Sequence, residues 1–268
     1  MSELEVPGAH LYYEIRGDGP LLVMIPGAGG SADPFQAVAA QLAARYAVLT
    51  YDRRGFSRSQ LDGPQDYERR LETDADDVRR LIEHVSNEPA AVFGVSSGAI
   101  VGLEVLTSHA SVVRVLVPYE APLVKLLRDG QTWVDFFNAI YDQYRQAGIG
   151  PAMNTFRQRA FAAIDREAMA RAAVSHYAEA NAAYWFEHEL RQYPALRLDF
   201  GSLRPYADRI LPAGGRESRG FPAYDATAEL ARKLGRELAE LPGGHLGCVS
   251  HPREFAAALV QALTRGER

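Results

Sequence analysis

The stretch from Ala90 to Gly98 constrains this chain more than any other. Ala90-Ala91-Val92-Phe93-Gly94-Val95 is an unbroken apolar run, the pattern of a strand buried on both faces. Ser97 to Ser108 follows at once and reads as a helix, so Gly94-Val95-Ser96-Ser97-Gly98 straddles the junction. A buried strand that turns directly into a helix needs small residues where the two approach. It also lifts the central side chain above the sheet edge, beside the unpaired N–H groups and positive dipole end of the helix. This is a G-x-S-x-G pattern in the context its chemistry requires, and Ser96 is the expected nucleophile. The competing reading is a Gly-Ser turn of purely structural role, which the strand-to-helix context disfavours.

Strands and helices alternate on both sides of this junction. His10 to Arg16, Leu21 to Ile25, Ala47 to Tyr51 and Val112 to Val117 read as strands. Pro34 to Ala44 and Tyr67 to Val85 read as helices, the latter with apolar positions at helical spacing. The expected class is therefore α/β, with a mostly parallel central sheet covered by helices on both faces. After Pro122 the rhythm breaks. Leu123 to about Asp199 reads as helices without a strand and is rich in aromatics, among them Trp133, Phe136, Phe156, Phe161, Tyr184, Trp185 and Phe186. The alternation resumes with a strand at Ile210 to Ala213, a helix at Ala223 to Leu234, a strand at Glu237 to Leu241 and a closing helix at Pro252 to Thr264. The expected organisation is a core of residues 1–122 and 205–268 with a helical cap, 123–204, inserted in its middle. Most of the rings serve as packing. Trp133 and Tyr184 are expected to face the cleft, because apolar ligand pockets are lined in this way.

A serine hydroxyl needs a base. Of the seven histidines, His245 stands apart, in Pro242-Gly243-Gly244-His245 between the last expected strand and the last helix. That loop belongs at the sheet edge that carries Ser96, and the chain order puts the nucleophile first and the histidine last, as this kind of site demands. Two glutamates compete for the acid that orients the imidazole. Glu217 follows the strand at Ile210 to Ala213. Glu120, in Pro118-Tyr119-Glu120-Ala121-Pro122, follows the strand reached from the nucleophile by a single helix. Spacing alone does not decide between them.

The developing oxyanion needs backbone donors. One is the N–H of Ser97. The other is expected in Pro26-Gly27-Ala28-Gly29-Gly30-Ser31, whose small residues let main chain approach a substrate. Ala28 is the expected donor and Gly29 an expected substrate contact. No Gly-Lys-Ser or Gly-Lys-Thr follows, so this is not a phosphate loop, and the glycine spacing does not fit a dinucleotide site. Tyr51-Asp52-Arg53-Arg54-Gly55-Phe56-Ser57-Arg58-Ser59 is expected to buttress the site through side-chain hydrogen bonds.

Charge and composition narrow the partners. With 29 basic against 34 acidic residues the formal net charge is −5, which gives no electrostatic reason to seek nucleic acid or an anionic membrane. No run of about 18 apolar residues offers a membrane span. The single cysteine, Cys248, excludes an intrachain disulfide. Met-Ser-Glu-Leu-Glu-Val lacks the basic and apolar regions of a secretory signal, so the cytoplasm is the expected compartment. The scattered histidines suggest no metal site, the chemistry requires no cofactor, and a homodimer is left open.

Taken together the motifs resemble those of the α/β-hydrolases, and more narrowly those of the zearalenone lactonases, which open a fungal resorcylic macrolactone. The resemblance rests on Leu11-Tyr12-Tyr13-Glu14, Gly55-Phe56-Ser57-Arg58-Ser59, Gly94-Val95-Ser96-Ser97-Gly98-Ala99, Tyr119-Glu120-Ala121-Pro122, Pro242-Gly243-Gly244-His245 and Val249-Ser250-His251-Pro252. It implies a triad of Ser96, His245 and Glu120, oxyanion donors at Ala28 and Ser97, and a substrate contact at Trp185. The implied activity is hydrolysis of a small-molecule ester, above all a lactone. A general carboxylesterase acting on bulky apolar esters and a ligand receptor with slow turnover are the alternatives.

Overall fold

In the computed structural model, which describes residues 2–172 and 174–266, nine strands form one sheet among the described residues. They are β1 (Ser2–Val6), β2 (Ala9–Arg16), β3 (Leu21–Ile25), β4 (Ala47–Tyr51), β5 (Gln60–Leu61), β6 (Ala90–Val95), β7 (Val113–Tyr119), β8 (Ala213–Gly215) and β9 (Ala239–Leu241). The order across the sheet is β1-β2-β4-β3-β6-β7-β8-β9, with β5 also on β2. Pairing is antiparallel around β2 and parallel from β4 to β9. The parallel part is the expected arrangement. The antiparallel edge strand β1 was not anticipated. Its Ser-Glu-Leu-Glu-Val sequence leaves one residue buried, so it gives little apolar signal.

Side-chain alternation sends successive residues of each central strand to opposite faces. On one face Val23, Ile25 and Val92 pack with α2 (Arg70–Val85), α3 (Ser97–Ser108) and α9 (Pro222–Leu234). On the other, Leu22, Met24, Phe93 and Val117 pack with α1 (Gln36–Leu42) and α11 (Pro252–Gly266). Both faces are thus dry, and the polar ends of the strands are where chemistry can sit. No helix among the described residues is long and apolar enough to cross a membrane.

Three boundaries differ from the sequence expectation for identifiable reasons. The helix expected from Tyr67 begins at Arg70, because the Asp66 carboxylate accepts the N–H groups of Glu68 and Arg69 and turns the chain first. The ladder expected from Ile210 begins at Ala213. Ile210 bridges Leu116 and Leu211 donates to its carbonyl, but Pro212 has no N–H to continue the pattern. Strand β7 runs two residues beyond Val117, to Tyr119, and this extension brings Glu120 to the sheet edge.

Between β7 and β8 lie α4 (Gly130–Ala147), α5 (Ile149–Ala160), α6 (Ala163–Arg171), α7 (Ala178–His188) and the short α8 (Phe200–Leu203). Helices α4, α5 and α7 share a core of their own, built from Phe136, Phe137, Ile140, Phe156, Trp185 and Phe186. Phe56 and Ala28 join this core from the sheet side. The last loop carries the one-turn helix α10 (Gly247–Ser250) ahead of α11.

Candidate active site

Strand register builds the site. Val95 of β6 is level with Tyr119 of β7, and the Ser96 N–H donates to the Tyr119 carbonyl at 2.9 Å. Ser96 and Glu120 are the next residues of their two strands, so they emerge side by side. Both adopt positive φ, 56° for Ser96 and 47° for Glu120. A non-glycine residue in that region costs roughly 1–3 kcal/mol and persists where the surroundings enforce it. At Ser96 the enforcement is visible, since a Cβ on Gly98 would collide with the carbonyls of Ile25 and Pro26. The helix can follow the strand this tightly only with glycine there.

Glu120 is buried, and both of its oxygens are engaged. Oε2 lies 2.6 Å from His245 Nδ1, and Oε1 accepts the Gly215 N–H at 2.8 Å. Its own N–H donates to the Ala213 carbonyl at 3.0 Å. A carboxylate accepts only, so Nδ1 carries the proton and Nε2 presents its lone pair. The loop of His245 is fixed from beneath by the Tyr119 hydroxyl, which donates to the Gly244 carbonyl at 2.5 Å. Burial opposes the imidazolium, but the hydrogen bond and charge of Glu120, helped by Asp165, outweigh it and raise the pKa of His245 above its ordinary value. Glu217, the competing acid, is exposed; its N–H bonds the Gly243 carbonyl while its side chain makes no hydrogen bond among the described residues. The structure therefore brings His245 together with Glu120 and not with Glu217.

The loop after β3 lies directly on the serine. A Cβ on Gly27 would stand 3.0 Å from Ser96 Cβ. Gly30 N–H donates to the Gly27 carbonyl and Arg53 N–H to the Gly30 carbonyl, at 2.9 and 2.8 Å. The amides of Ala28 and Gly29 have no acceptor among the described residues. Ser97 is the first residue of α3, where the helix supplies no partner for its N–H. Ser96 itself is half-buried, and its hydroxyl forms no hydrogen bond among the described residues.

The segment from Tyr51 to Ser59 braces this loop, as its polar sequence suggested. Asp52 accepts the Ala32 N–H at 2.7 Å and pairs with Arg58. Arg53, fully buried, reaches the Gly27 carbonyl at 3.4 Å and forms ion pairs with Asp74 and with Glu189, the latter at 2.9 Å. Burial works against its charge, and the two carboxylates more than offset it, raising its pKa well above the ordinary value.

The aromatics of the helical segment pack largely on one another. Trp185 is 4 % exposed and packs on Phe156 and Phe186, with ring centroids 5.1 and 5.0 Å away. Tyr184 lies over Gly55, and its hydroxyl accepts from Arg70 at 2.8 Å, so its polar end is committed to the buried ion pairs. Trp133 is half-buried against Phe136 and beneath Arg159. The ring that reaches the histidine is Phe161, its centroid 4.9 Å from that of His245. Nothing in the aromatic run distinguished Phe161 from its neighbours. Two polar residues also went unnoticed. Asp165 of α6 and Asn181 of α7 hydrogen-bond the histidine loop and the loop after β3, at Leu246 N–H and the Gly29 carbonyl. In sequence they read as an acidic residue in a first helical turn and a polar residue within a helix.

Sheet and edge together define a hydrolase: the chain belongs to the alpha/beta hydrolase family, whose model matches residues 22–258. It is similar over its length to the uncharacterized hydrolase YraK of Bacillus subtilis (strain 168), at 35% identity over 272 residues covering 99% of this chain and 96% of that one. It is 28% identical over 271 residues to the zearalenone hydrolase of Bionectria ochroleuca, covering 98% of each. Among solved structures, the enol-lactonase from Burkholderia xenovorans LB400 matches with a TM-score of 0.71 at 23% identity, over 98% of this chain and 100% of that one, a likeness of fold.

Proposed function

We propose that this protein is a serine hydrolase that cleaves a carboxylic ester, above all a lactone of the zearalenone type, by way of an acyl-enzyme on Ser96. The observation that supports it best is the 2.6 Å bond between Glu120 and His245 Nδ1, at the edge where register brings out Ser96. In this reading residues 123–204 are a cap over the cleft, and 1–122 with 205–268 are the core.

The chemistry follows from the groups present. Ser96 Oγ attacks the ester carbonyl while His245 Nε2 takes its proton, and Glu120 stabilises the resulting imidazolium. The carbonyl electron pair moves onto oxygen, where the Ala28 and Ser97 N–H groups meet it. One such donor is commonly worth about 10²–10³ in kcat. Collapse of the tetrahedral intermediate expels the alkoxide, which takes the proton from His245. Water then repeats the sequence, with His245 as base, and frees the acid and Ser96. In a lactone the acid and alcohol stay in one molecule. No step needs a cofactor.

The helical segment favours an apolar substrate. Its apolar core reaches Ala28 at one end of the site, and Phe161 lies against His245 at the other. A largely apolar ester gains about 25 cal/mol per Å² that it buries there. The activity of a similar protein, the zearalenone hydrolase of Bionectria ochroleuca, favours the cyclic ester.

The test is steady-state turnover of zearalenone beside p-nitrophenyl butyrate. Ring opening faster than hydrolysis of the simple ester supports the lactone. Turnover of the simple ester alone removes the lactone and keeps the ester hydrolase. Turnover of neither by folded protein overturns the proposal.

A further inference from the structure

Two side chains of the inserted helices hold the two loops on which the proposed reaction depends. Asn181, on α7, is 7 % exposed. Its Nδ2 donates to the Gly29 carbonyl at 3.0 Å and to Ser57 Oγ at 2.8 Å, and its Oδ1 accepts the Ser57 N–H at 2.8 Å. The amide orientation is fixed by these partners, since a carbonyl must meet the NH₂ group and a backbone N–H must meet the oxygen. Ser57 is itself held at φ 48°, so the amide pins a strained residue on one side and the glycine loop on the other. On α6, Asp165 is 1 % exposed, and its Oδ1 accepts the Leu246 N–H at 2.8 Å, one residue beyond His245. A Cβ on Gly244 would collide with the same carboxylate. The histidine loop is thus seated against Asp165 at the two positions that flank the base.

We infer that Asn181 and Asp165 are positioning residues: the inserted helices clamp the oxyanion loop and the histidine loop in register with Ser96. The inference rests on the serine-hydrolase reading above and goes beyond it. The turn from Gly27 to Gly30 shows why a clamp is needed. Its carbonyls at Gly27, Gly29 and Gly30 are each taken, by the Gly30 N–H with Arg53, by Asn181 and by the Arg53 N–H respectively. With the carbonyls fixed, the amides of Ala28 and Gly29 have a defined direction. Asn181 supplies the one of these holds that comes from the helical segment by a neutral side chain. Without it a glycine-rich turn regains its freedom, and donors misplaced by about 1 Å can cost on the order of 10²-fold in rate. A segment bonded to both loops cannot swing away as a lid without unmaking the site. It therefore acts as a frame, and substrate enters past it.

The experiment compares Asn181→Ala, Asn181→Asp, Asp165→Ala and Asp165→Asn with the wild type, on the ester that the wild type turns over. Asn181→Asp keeps the shape but loses both donated hydrogen bonds. Both Asn181 variants are expected to lower kcat on the order of 10- to 100-fold with KM within about twofold. Inhibition by phenylboronic acid, whose tetrahedral adduct uses the oxyanion donors, is expected to weaken by a similar factor. Asp165→Ala should lower kcat likewise, and Asp165→Asn, which keeps an acceptor oxygen for Leu246, should recover most of the loss. Thermal unfolding identifies the folded variants. Should neither Asn181 variant fold, the Asp165 pair decides. A folded Asn181 variant, or folded Asp165→Ala, that keeps kcat within about threefold overturns the clamp, as does a loss confined to KM. Ser96→Ala runs in the same assay. If it retains wild-type turnover, the serine mechanism falls and takes the clamp with it; if it is dead while the other variants are active, the clamp alone falls.

Discussion

Glu120 divides its carboxylate between a loop and a strand: Oε2 holds His245 Nδ1 at 2.6 Å and Oε1 takes the Gly215 N–H at 2.8 Å. Glu120 is thereby fixed by β8, the strand that leads to the alternative acid, Glu217. Glu120→Gln should keep the shape but offer Nδ1 an ambiguous partner and leave the imidazolium without its charge. A loss of roughly 10³–10⁴ in kcat is expected. Glu217→Gln, at an exposed position, should change kcat by less than about twofold. Parallel kinetics on the two variants check the order. Equal losses, or a greater loss at Glu217, contradict the assignment.

The acid limb of kcat/KM should lie above 6.5, the ordinary value for histidine. The groups facing the ring are Glu120 from the end of β7, Asp165 from α6 and the apolar Phe161. Burial disfavours the cation, and the two carboxylates outweigh it. In the proposed mechanism only neutral His245 accepts the Ser96 proton, so activity should rise with pH through the raised value. Stability runs the other way. A raised folded-state pKa contributes stability that is fully present below the unfolded value and lost as pH rises through the folded one. Asp165→Asn should move the limb toward lower pH. A wild-type limb at or below 6.5 contradicts the charge balance described.

Arg53 and Arg70 together balance the charges of Asp74 and Glu189 in a buried setting, with Arg53 making the shorter contacts. Arg53→Ala leaves two buried carboxylates with only the longer contacts of Arg70, at 3.8 and 3.7 Å, at a cost of about 3–5 kcal/mol. In a chain of this size that corresponds to a Tm lower by roughly 6–20 °C. Arg53→Met should give little relief, because charge rather than volume carries the loss. Thermal unfolding of both variants near neutral pH tests this, and a Tm within about 2 °C of wild type in either contradicts it.

The proposed nucleophile and base can be picked out in the sequence because each is a local event. Ser96 sits where an apolar run meets a helix, and His245 follows two glycines after a short strand. The acid is not local. Choosing Glu120 over Glu217 from the residues requires knowing that β7 ends level with Val95 and that β8 lies beside it, and the resemblance supplied that choice. Asn181 and Asp165 are silent for the same reason, since their partners lie 152 and 81 residues away. The aromatic run gave the apolar character of the helical segment but not the individual roles. Trp185 and Phe161 look alike in sequence, and packing buries the first among rings while it sets the second against His245.

If Ser96 is the nucleophile, a covalent trap should find it. A fluorophosphonate is incubated with the protein, residual turnover of p-nitrophenyl butyrate is followed, and the modified residue is located by peptide mass mapping. The account predicts one phosphonyl group per chain, on Ser96, with activity lost in proportion to labelling, and no labelling of folded Ser96→Ala. Inactivation with the label on another residue, or full labelling of Ser96 with turnover intact, would contradict it.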